Sequence, residues 1–151
     1  MVRTAKEKDL IEILELYLDL HEDTIPEDSE KRRKVWSHIL EDSNYNIIVN
    51  EVDGKIVSSC TCLIVPNLTR NLSAYALIEN VVTKNEFEGK GYARACLDYA
   101  KQIAIDNDCY KIMLTTGSHD ERTHEFYKSC GYSSEGKTAY VNKLREVKFK
   151  H

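Results

Sequence analysis

Several features that define other protein classes are scarce in this sequence. Its 151 residues include only two prolines and six glycines, which leaves little room for a linker, so we expect a single domain over residues 1–151. No run approaches the roughly 20 apolar residues of a membrane span, and the N-terminus lacks the apolar stretch of a secretory signal. We therefore expect a cytoplasmic protein without a membrane partner.

Positive charge is not in excess either. Lys and Arg number 21 against 25 Asp and Glu, which gives a net charge of −4. A nucleic-acid-binding protein usually carries a basic patch. The longest basic run, residues 31–34, follows acidic residues in a predicted helix, where a solvated helix face is the simpler interpretation. We therefore expect no nucleic-acid partner.

The cysteines do not suggest a disulfide framework or a metal site. There are five of them, an odd number, at positions Cys60, Cys62, Cys96, Cys109 and Cys130. Cys60 and Cys62 form C-x-C rather than the paired C-x-x-C pattern of a zinc site. We interpret all five as reduced thiols that behave as small hydrophobes, and we expect no metal. A covalent route through a cysteine is disfavoured, because a nucleophilic thiol needs an electropositive and partly exposed setting.

The first half of the chain predicts two helices followed by strands. Val2 to Ala5 fits a short strand, and apolar residues at helical spacing predict a helix near 7–21. Thr24-x-x-Glu27 matches a capping box and predicts the start of a second helix. Two strands, Tyr45 to Val52 and Lys55 to Val65, are predicted on either side of Asp53-Gly54, a strong hairpin signal.

The second half alternates between strands and helices. Strands are predicted from Ser73 to Thr83, from Tyr110 to Thr115 and from Thr138 to Leu144. A helix lies between the first two, and another, opened by Ser118-x-x-Glu121 and ended by Gly131, precedes the third. The whole pattern predicts an α/β fold in which a mixed sheet of about six strands is flanked by about four helices.

The stretch from Ile78 to Arg94 is the most informative for chemistry. A strand ends near Thr83, and a loop with Gly89 and Gly91 leads into a helix. Helix N-termini expose unpaired N–H groups, and glycine lets the backbone approach a phosphate closely. The pattern is neither a dinucleotide fingerprint, because Arg94 stands in place of the third glycine, nor a Walker loop. It fits a phosphate cradle, and a plain left-handed turn is the alternative.

Two motifs resemble the GNAT superfamily of N-acetyltransferases. Glu88-Gly89-Lys90-Gly91-Tyr92-Ala93 is similar to its signature [RQ]-x-x-G-x-[GA], with Glu88 in place of Arg or Gln. About 30 residues later, Tyr127-Lys128-Ser129-Cys130-Gly131-Tyr132 is similar to the family's Tyr followed by Gly and an aromatic residue. The resemblance is clearest over residues 73–132.

The resemblance implies acetyl-coenzyme A as cosubstrate and no metal. The pantetheine arm would pair with the backbone of the fourth strand, where a bulge opens a slot, and the pyrophosphate would lie on amides of the following loop and helix start. The implied cofactor-binding residues are Val81, Val82, Thr83, Gly89, Lys90, Gly91, Tyr92, Ala93 and Arg94. A homodimer would be usual for the family.

The implied reaction is direct attack of a neutral amine on the thioester. Tyr127 matches the family's acid position, and its phenol can protonate the leaving thiolate. Glu79 is our candidate base, because a carboxylate in an apolar strand would have a raised pKa. A surface role for Glu79, with a water relay as base, is equally open. We expect a small-molecule amine as acceptor; a protein or peptide amine, or a non-catalytic coenzyme-A-binding regulator, are the alternatives.

Overall fold

The structure is a computed structural model that describes residues 1–145. The described residues fall into two compact units, Met1–Leu114 and 115–145. The first unit contains β1 (Val2–Thr4), α1 (Leu10–Tyr17), α2 (Glu30–Glu41), β2 (Tyr45–Val52), β3 (Lys55–Val65), α3 (Thr69–Leu72), β4 (Ala74–Thr83), α4 (Tyr92–Asp106) and β5 (Cys109–Leu114). The second contains α5 (Glu121–Ser129). The expectation of one domain over residues 1–151 stays a prediction.

The first unit is built on a mixed sheet, as the sequence predicts. Its strands follow chain order, β1-β2-β3-β4-β5. The first four pair antiparallel, and β4 pairs parallel with β5 because α4 makes the crossover between them. The β2–β3 hairpin turns at Asp53 and Gly54, whose φ values of 50° and 78° are both left-handed, as a type I′ turn requires.

Helices cover both faces of this sheet. Because side chains alternate along a strand, Ile47 and Val49 of β2 point to one face, where they pack in a cluster with residues of α1 and α2. Ile48 and Asn50 point to the other, and the Asn50 amide Nδ2 donates to the carbonyl of Tyr92 in α4 at 3.3 Å. The sheet is therefore buried between α1 and α2 on one side and α4 on the other, which confirms the predicted α/β layering.

The second unit is organised by α5. Asp120 caps the helix by accepting a hydrogen bond from the N–H of Arg122 at 2.9 Å. At the other end Gly131 adopts a left-handed φ of 96°, and the N–H of Tyr132 donates to the carbonyl of Tyr127 at 3.0 Å. This is a Schellman ending, so the glycine stop predicted at residue 131 is confirmed. The helix begins two residues later than the predicted cap at Ser118 suggests, because Asp120 is the capping residue.

Two predictions about secondary structure are wrong. Within the described part of the chain the sheet has five strands, since Thr138 to Leu144 forms none. Tyr140 and Leu144 are 93% and 92% exposed, so the apolar side chains of this segment are not buried as those of a strand in the sheet would be. The second helix begins at Glu30 rather than near Thr24, because Ser29 caps it by accepting from the N–H of Arg32 at 3.1 Å.

Candidate active site

A β-bulge interrupts β4 close to its end. Ser59 of β3 pairs with Val82, and Thr61 pairs with Glu79, so Cys60 alone stands opposite two residues of β4, Asn80 and Val81. Asn80 adopts a left-handed backbone with a φ of 52°. Asparagine tolerates this conformation better than most residues, although it still costs free energy. The bulge bends β4 at the position where a slot was expected.

Beyond the bulge, one edge of β4 is open. The last pair that β4 forms with β5 is Ile78 with Leu114, whereas its pairing with β3 continues to Thr83. In the described structure no strand therefore pairs with Val81, Val82 and Thr83 on the β5 side. Their backbone can accept an extended ligand as an added strand. On the opposite side β4 is paired with β3, and there the hydroxyl of Ser58 donates to the carbonyl of Val82 at 3.0 Å.

The loop after β4 prepares the start of α4 for an anion. Gly89 and Gly91 have left-handed φ values of 75° and 86°, and Gly91 occupies the N-cap position of α4. A Cβ at either glycine would meet nothing within 4 Å, so the space beside the backbone is open. No described side chain caps the first turn of the helix. Its leading N–H groups therefore remain available, at the positive end of the helix dipole.

Side chains around this loop place positive charge at its surface. The Lys90 ammonium lies 5.4 Å from the ring centroid of Phe87. The ring of Phe87 in turn lies 6.0 Å from that of Tyr92. Lys90 itself is exposed, so its charge faces solvent where a phosphate would approach. The geometry fits the predicted pyrophosphate cradle.

On the α1 face of the sheet, polar groups gather beside the bulge. Glu79 lies directly across the ladder from Thr61, and its side chain is exposed rather than desolvated as we expected. Burial raises the pKa of the nearby Tyr45 phenol, and the negative charge of Glu79 adds to this effect. Burial also raises the pKa of Tyr17, while the side chains of Thr61 and Asn80 oppose the shift.

A pocket of about 200 Å³ opens beside Tyr45. It lies between the C-terminal end of α2 and the start of β2, with Trp36, Asp42 and Ser43 among its lining residues. Its wall combines aromatic rings with hydroxyl and carboxylate groups. Such a lining suits a small polar molecule better than an apolar one.

The second unit carries Tyr127 on α5. The side chain is half-buried, with its ring centroid 5.2 Å from that of Phe126 and 6.2 Å from that of Tyr132. Its carbonyl accepts the hydrogen bond that ends the helix. The Tyr127–Tyr132 motif therefore also has a structural role, because its Gly131 and Tyr132 form the C-terminal cap of α5.

Comparison with known proteins assigns the chain to a family. The model of the acetyltransferase (GNAT) family matches residues 10–132. This chain belongs to the GNAT family. A solved structure, a putative acetyltransferase from Agrobacterium tumefaciens, is 39% identical with a TM-score of 0.88, over 95% of this chain and 99% of that one. The fold and the resemblance seen in the sequence are thereby confirmed.

Other relatives of this GNAT chain are more distant. A glucosamine 6-phosphate N-acetyltransferase of Trypanosoma brucei brucei is 29% identical over 86 residues, which are 57% of this chain and 56% of that protein. The chain thus spans little more than half the length of the curated relatives it matches. A transcriptional regulator from Bacillus halodurans is 25% identical with a TM-score of 0.79, over 95% of this chain and 99% of that one.

The buried thiols of this GNAT chain are unsuited to nucleophilic attack. Cys60, Cys62 and Cys96 are buried between the sheet and α4. Burial raises the pKa of Cys62 to about 11 and that of Cys96 to about 12, and it raises the pKa of Cys60 further. A thiol that stays protonated is a poor nucleophile. These three cysteines pack as small hydrophobes, as the sequence indicates.

Residues 1–145 contain neither a membrane-spanning helix nor a cluster of metal ligands. No helix among residues 1–145 is long and apolar enough to cross a membrane. Over the same residues, no group of three or more His, Cys, Asp or Glu side chains is arranged to hold a metal ion.

The site residues expected from the sequence fall in both units, and their roles stay predictions. Val81 to Thr83 and Gly89 to Arg94 lie in the first unit, as does Glu79, whereas Tyr127 lies in the second. Tyr17, Tyr45 and Thr61 were not singled out, because each fits an ordinary apolar or strand pattern. The register places Thr61 opposite Glu79, but spacing along the chain does not bring Tyr17 or Tyr45 to that position.

Proposed function

We propose that this GNAT chain transfers an acetyl group from acetyl-coenzyme A to a primary amine of a small molecule by direct attack. The observation that carries the proposal is the open edge of β4 beyond the Asn80 bulge, together with the glycine turn at the start of α4. An extended thiol arm and a pyrophosphate are the two features that such an arrangement can bind. Acetyl-coenzyme A carries both.

The coenzyme would be bound mainly by backbone groups. Val81, Val82 and Thr83 offer unpaired peptide groups to the pantetheine arm. Amides from Gly89 to Arg94 would hold the pyrophosphate, with the Lys90 ammonium nearby. A backbone N–H of the bulged segment would polarise the thioester carbonyl, which is the part of the reaction where negative charge develops.

Two proton transfers accompany the attack. The amine must first lose a proton, for which Glu79 is the candidate base, directly or through water. Its exposure leaves the carboxylate accessible to an incoming ammonium. The neutral amine nitrogen then bonds to the thioester carbon, the C–S bond breaks, the nitrogen loses its second proton to solvent to give the amide, and the departing sulfur takes a proton. Tyr127 is the candidate donor of that proton, on the basis of its phenol and its motif position.

The acceptor would be a small polar amine. A curated relative is named glucosamine 6-phosphate N-acetyltransferase, which makes amino sugars the first compounds to test. The polar pocket beside Tyr45 offers room for the body of such a molecule on the same face as Glu79. A protein or peptide amine is the alternative acceptor.

A non-catalytic regulator that binds coenzyme A is a second candidate. The observation in its favour is the structural neighbour named as a transcriptional regulator. Such a protein would keep the coenzyme cradle but would not need groups that move protons. Glu79 and Tyr127 therefore favour the enzyme.

A thiol-release assay separates these functions. Purified protein is incubated with acetyl-coenzyme A and one of several amines: glucosamine 6-phosphate, glucosamine, a polyamine or a peptide with a free N-terminus. We expect amine-dependent release of coenzyme A with a small molecule. Release with peptides alone would favour the protein acetyltransferase. Binding of coenzyme A without release from any amine would favour the regulator.

A further inference from the structure

Two adjacent serines of β3 bind different neighbouring strands through their hydroxyls. Ser58 and Ser59 are both fully buried, each 0% exposed. The Ser59 hydroxyl donates to the carbonyl of Ile48 in β2 at 2.7 Å, whereas the Ser58 hydroxyl donates to the carbonyl of Val82 in β4 at 3.0 Å. Buried hydroxyls are normally hydrogen-bonded, and each of these bonds joins two strands of the sheet. Of the two, that of Ser58 reaches the part of β4 beyond the bulge.

The Ser58 hydroxyl makes a second hydrogen bond, with the hydroxyl of Thr83. Its Oγ lies 2.8 Å from Thr83 Oγ1, and the two residues are directly opposite each other in the ladder. A hydroxyl carries one hydrogen and two lone pairs. Because a carbonyl can only accept, Ser58 uses its hydrogen on Val82, and Thr83 therefore donates to Ser58. One buried oxygen thus holds two consecutive residues of β4.

The peptide group between Val82 and Thr83 is the group that these bonds orient. A trans peptide is planar, so its C=O and its N–H point in opposite directions. Ser58 holds the Val82 carbonyl on the β3 side of β4. The Thr83 N–H is therefore directed to the other side, where β4 has no paired strand in the described structure beyond Ile78. This is the edge that we assign to the pantetheine arm.

This end of β4 has little other support. A bulge disrupts the ladder around it, and beyond the bulge the β3–β4 ladder has only two pairs, Ser59 with Val82 and Ser58 with Thr83. The opposite edge of the same segment is open. The two side-chain bonds of Ser58 therefore strengthen a short length of strand that is paired on one side alone.

We propose that Ser58 is a positioning residue, whose hydroxyl holds the Val82–Thr83 peptide so that its N–H faces the pantetheine arm of the coenzyme. This inference rests on the proposed acetyl transfer. Ser58 is fully buried, so it does not touch the coenzyme or the reacting atoms. It raises affinity because a peptide group that is already held in place loses less freedom when a ligand binds to it.

The first test compares Ser58→Ala with Ser59→Ala. Each variant removes one buried hydroxyl that donates to a main-chain carbonyl of a neighbouring strand. Calorimetric titration with coenzyme A should show a Kd raised about three- to tenfold in Ser58→Ala, which is the typical effect of one hydrogen bond. Ser59→Ala should bind like wild type, although both variants should melt at a lower temperature. An unchanged Kd in Ser58→Ala, or an equal rise in both variants, overturns the proposal.

The second test separates binding from turnover. The arm is bound both before and during the reaction, so its loss of support in Ser58→Ala should raise KM for acetyl-coenzyme A by a factor similar to the change in Kd. At saturating acetyl-coenzyme A, kcat should stay within about twofold of wild type. A fall in kcat with unchanged KM would place the effect of the hydroxyl in the chemical step and would contradict the proposal.

The third test needs neither coenzyme nor acceptor. Relaxation of ¹⁵N in the folded, ligand-free protein gives an order parameter for the Thr83 N–H, which is about 0.85 in rigid backbone. We expect a lower value in Ser58→Ala and the wild-type value in Ser59→Ala. An unchanged value in Ser58→Ala overturns the proposal. Failure of the wild-type protein to bind coenzyme A would instead count against the proposed function, and the Thr83 order parameter would still decide whether Ser58 holds the peptide.

Discussion

The guanidinium of Arg3 donates two hydrogen bonds to the carboxylate of Asp9, from Nη1 to Oδ2 at 2.6 Å and from Nη2 to Oδ1 at 3.1 Å. Their side chains are 12% and 3% exposed. The backbone N–H of Lys6 also donates to Asp9 Oδ2, at 2.7 Å. The pair ties β1 to the turn that leads into α1. Hydrogen bonds from Arg3 lower the pKa of Asp9, although burial opposes them.

The Arg3–Asp9 pair should make the free energy of unfolding depend on pH in the acidic range. Because the pKa of Asp9 is lower in the folded state, its contribution is present above the unfolded pKa of about 3.9 and is lost as the pH falls through the folded value. Asp9→Asn should cost about 3 kcal/mol of unfolding free energy at pH 7, and less at pH 3. Urea unfolding at both values measures this. Asp98→Asn, at an exposed carboxyl of α4, is the control and should be nearly neutral. An equal cost for Asp9→Asn at both values would refute the assignment.

Coenzyme A should stabilise the folded protein. Ligand at about 100 times its Kd adds about 2.7 kcal/mol to the unfolding free energy, which corresponds to a rise in melting temperature of roughly 5–10 °C for a chain of this size. Thermal scans with and without acetyl-coenzyme A measure the shift. Pantetheine, which lacks the pyrophosphate, should produce a much smaller one. No shift at millimolar acetyl-coenzyme A would count heavily against the proposed cradle.

Gly91→Asp should abolish coenzyme A binding while the protein stays folded. A side chain at this position meets nothing within 4 Å, so folding bears only the strain of the left-handed φ. Asp also places a negative charge where the pyrophosphate would lie. Gly91→Ala shares the backbone strain without the charge and should keep part of the affinity. Calorimetric titration of the folded variants compares them, and unchanged affinity in Gly91→Asp would mean that the phosphates bind elsewhere.

Tyr127→Phe should lower turnover far more than coenzyme affinity. A hydroxyl that protonates the leaving sulfur acts mainly in the transition state, and general acid catalysis is typically worth about 10²–10⁴-fold. The ring contacts with Phe126 and Tyr132 would remain, so stability should change little. The measurement is kcat with a good acceptor, under conditions where chemistry limits the rate. Turnover near that of wild type would reduce Tyr127 to a packing residue.

Glu79→Gln is the comparison for that experiment. A base is required in its deprotonated form and an acid in its protonated form. Loss of Glu79 should therefore change the acidic limb of the pH–rate profile, and loss of Tyr127 the alkaline limb. A profile of Glu79→Gln with an unchanged acidic limb would favour a water relay as the base.

The regular parts of the fold were predictable because local signals agree there. The strand pattern on either side of the Asp53-Gly54 turn predicted the bounds of β2 and β3 as observed. The bulge was implied by the resemblance alone, because nothing in the sequence pattern around Asn80 marks a left-handed residue. The helix start at Glu30 was missed because two capping patterns compete, and the one at Ser29 prevails.

The burial and contacts of individual side chains were harder to predict than the bounds of the strands and helices. Glu79 was expected to be desolvated by its apolar neighbours along the chain, yet the edge that opens beyond Ile78 leaves it exposed. Tyr17 fits an ordinary helix face, and its packing against the core cluster that contains Val82 follows from long-range contacts that sequence spacing does not contain. The segment near Tyr140 contains residues that favour strands, but local composition does not supply a partner strand.

The buried thiols have a practical consequence for enzymology. With Cys60, Cys62 and Cys96 enclosed between the sheet and α4, a dye that reacts with thiols meets only half-exposed Cys109 and Cys130 in the folded chain. Colour that develops beyond that constant background then measures coenzyme A released by the reaction. A slow gain of three further equivalents without any amine would report that the helix has separated from the sheet, so one reagent follows both turnover and unfolding.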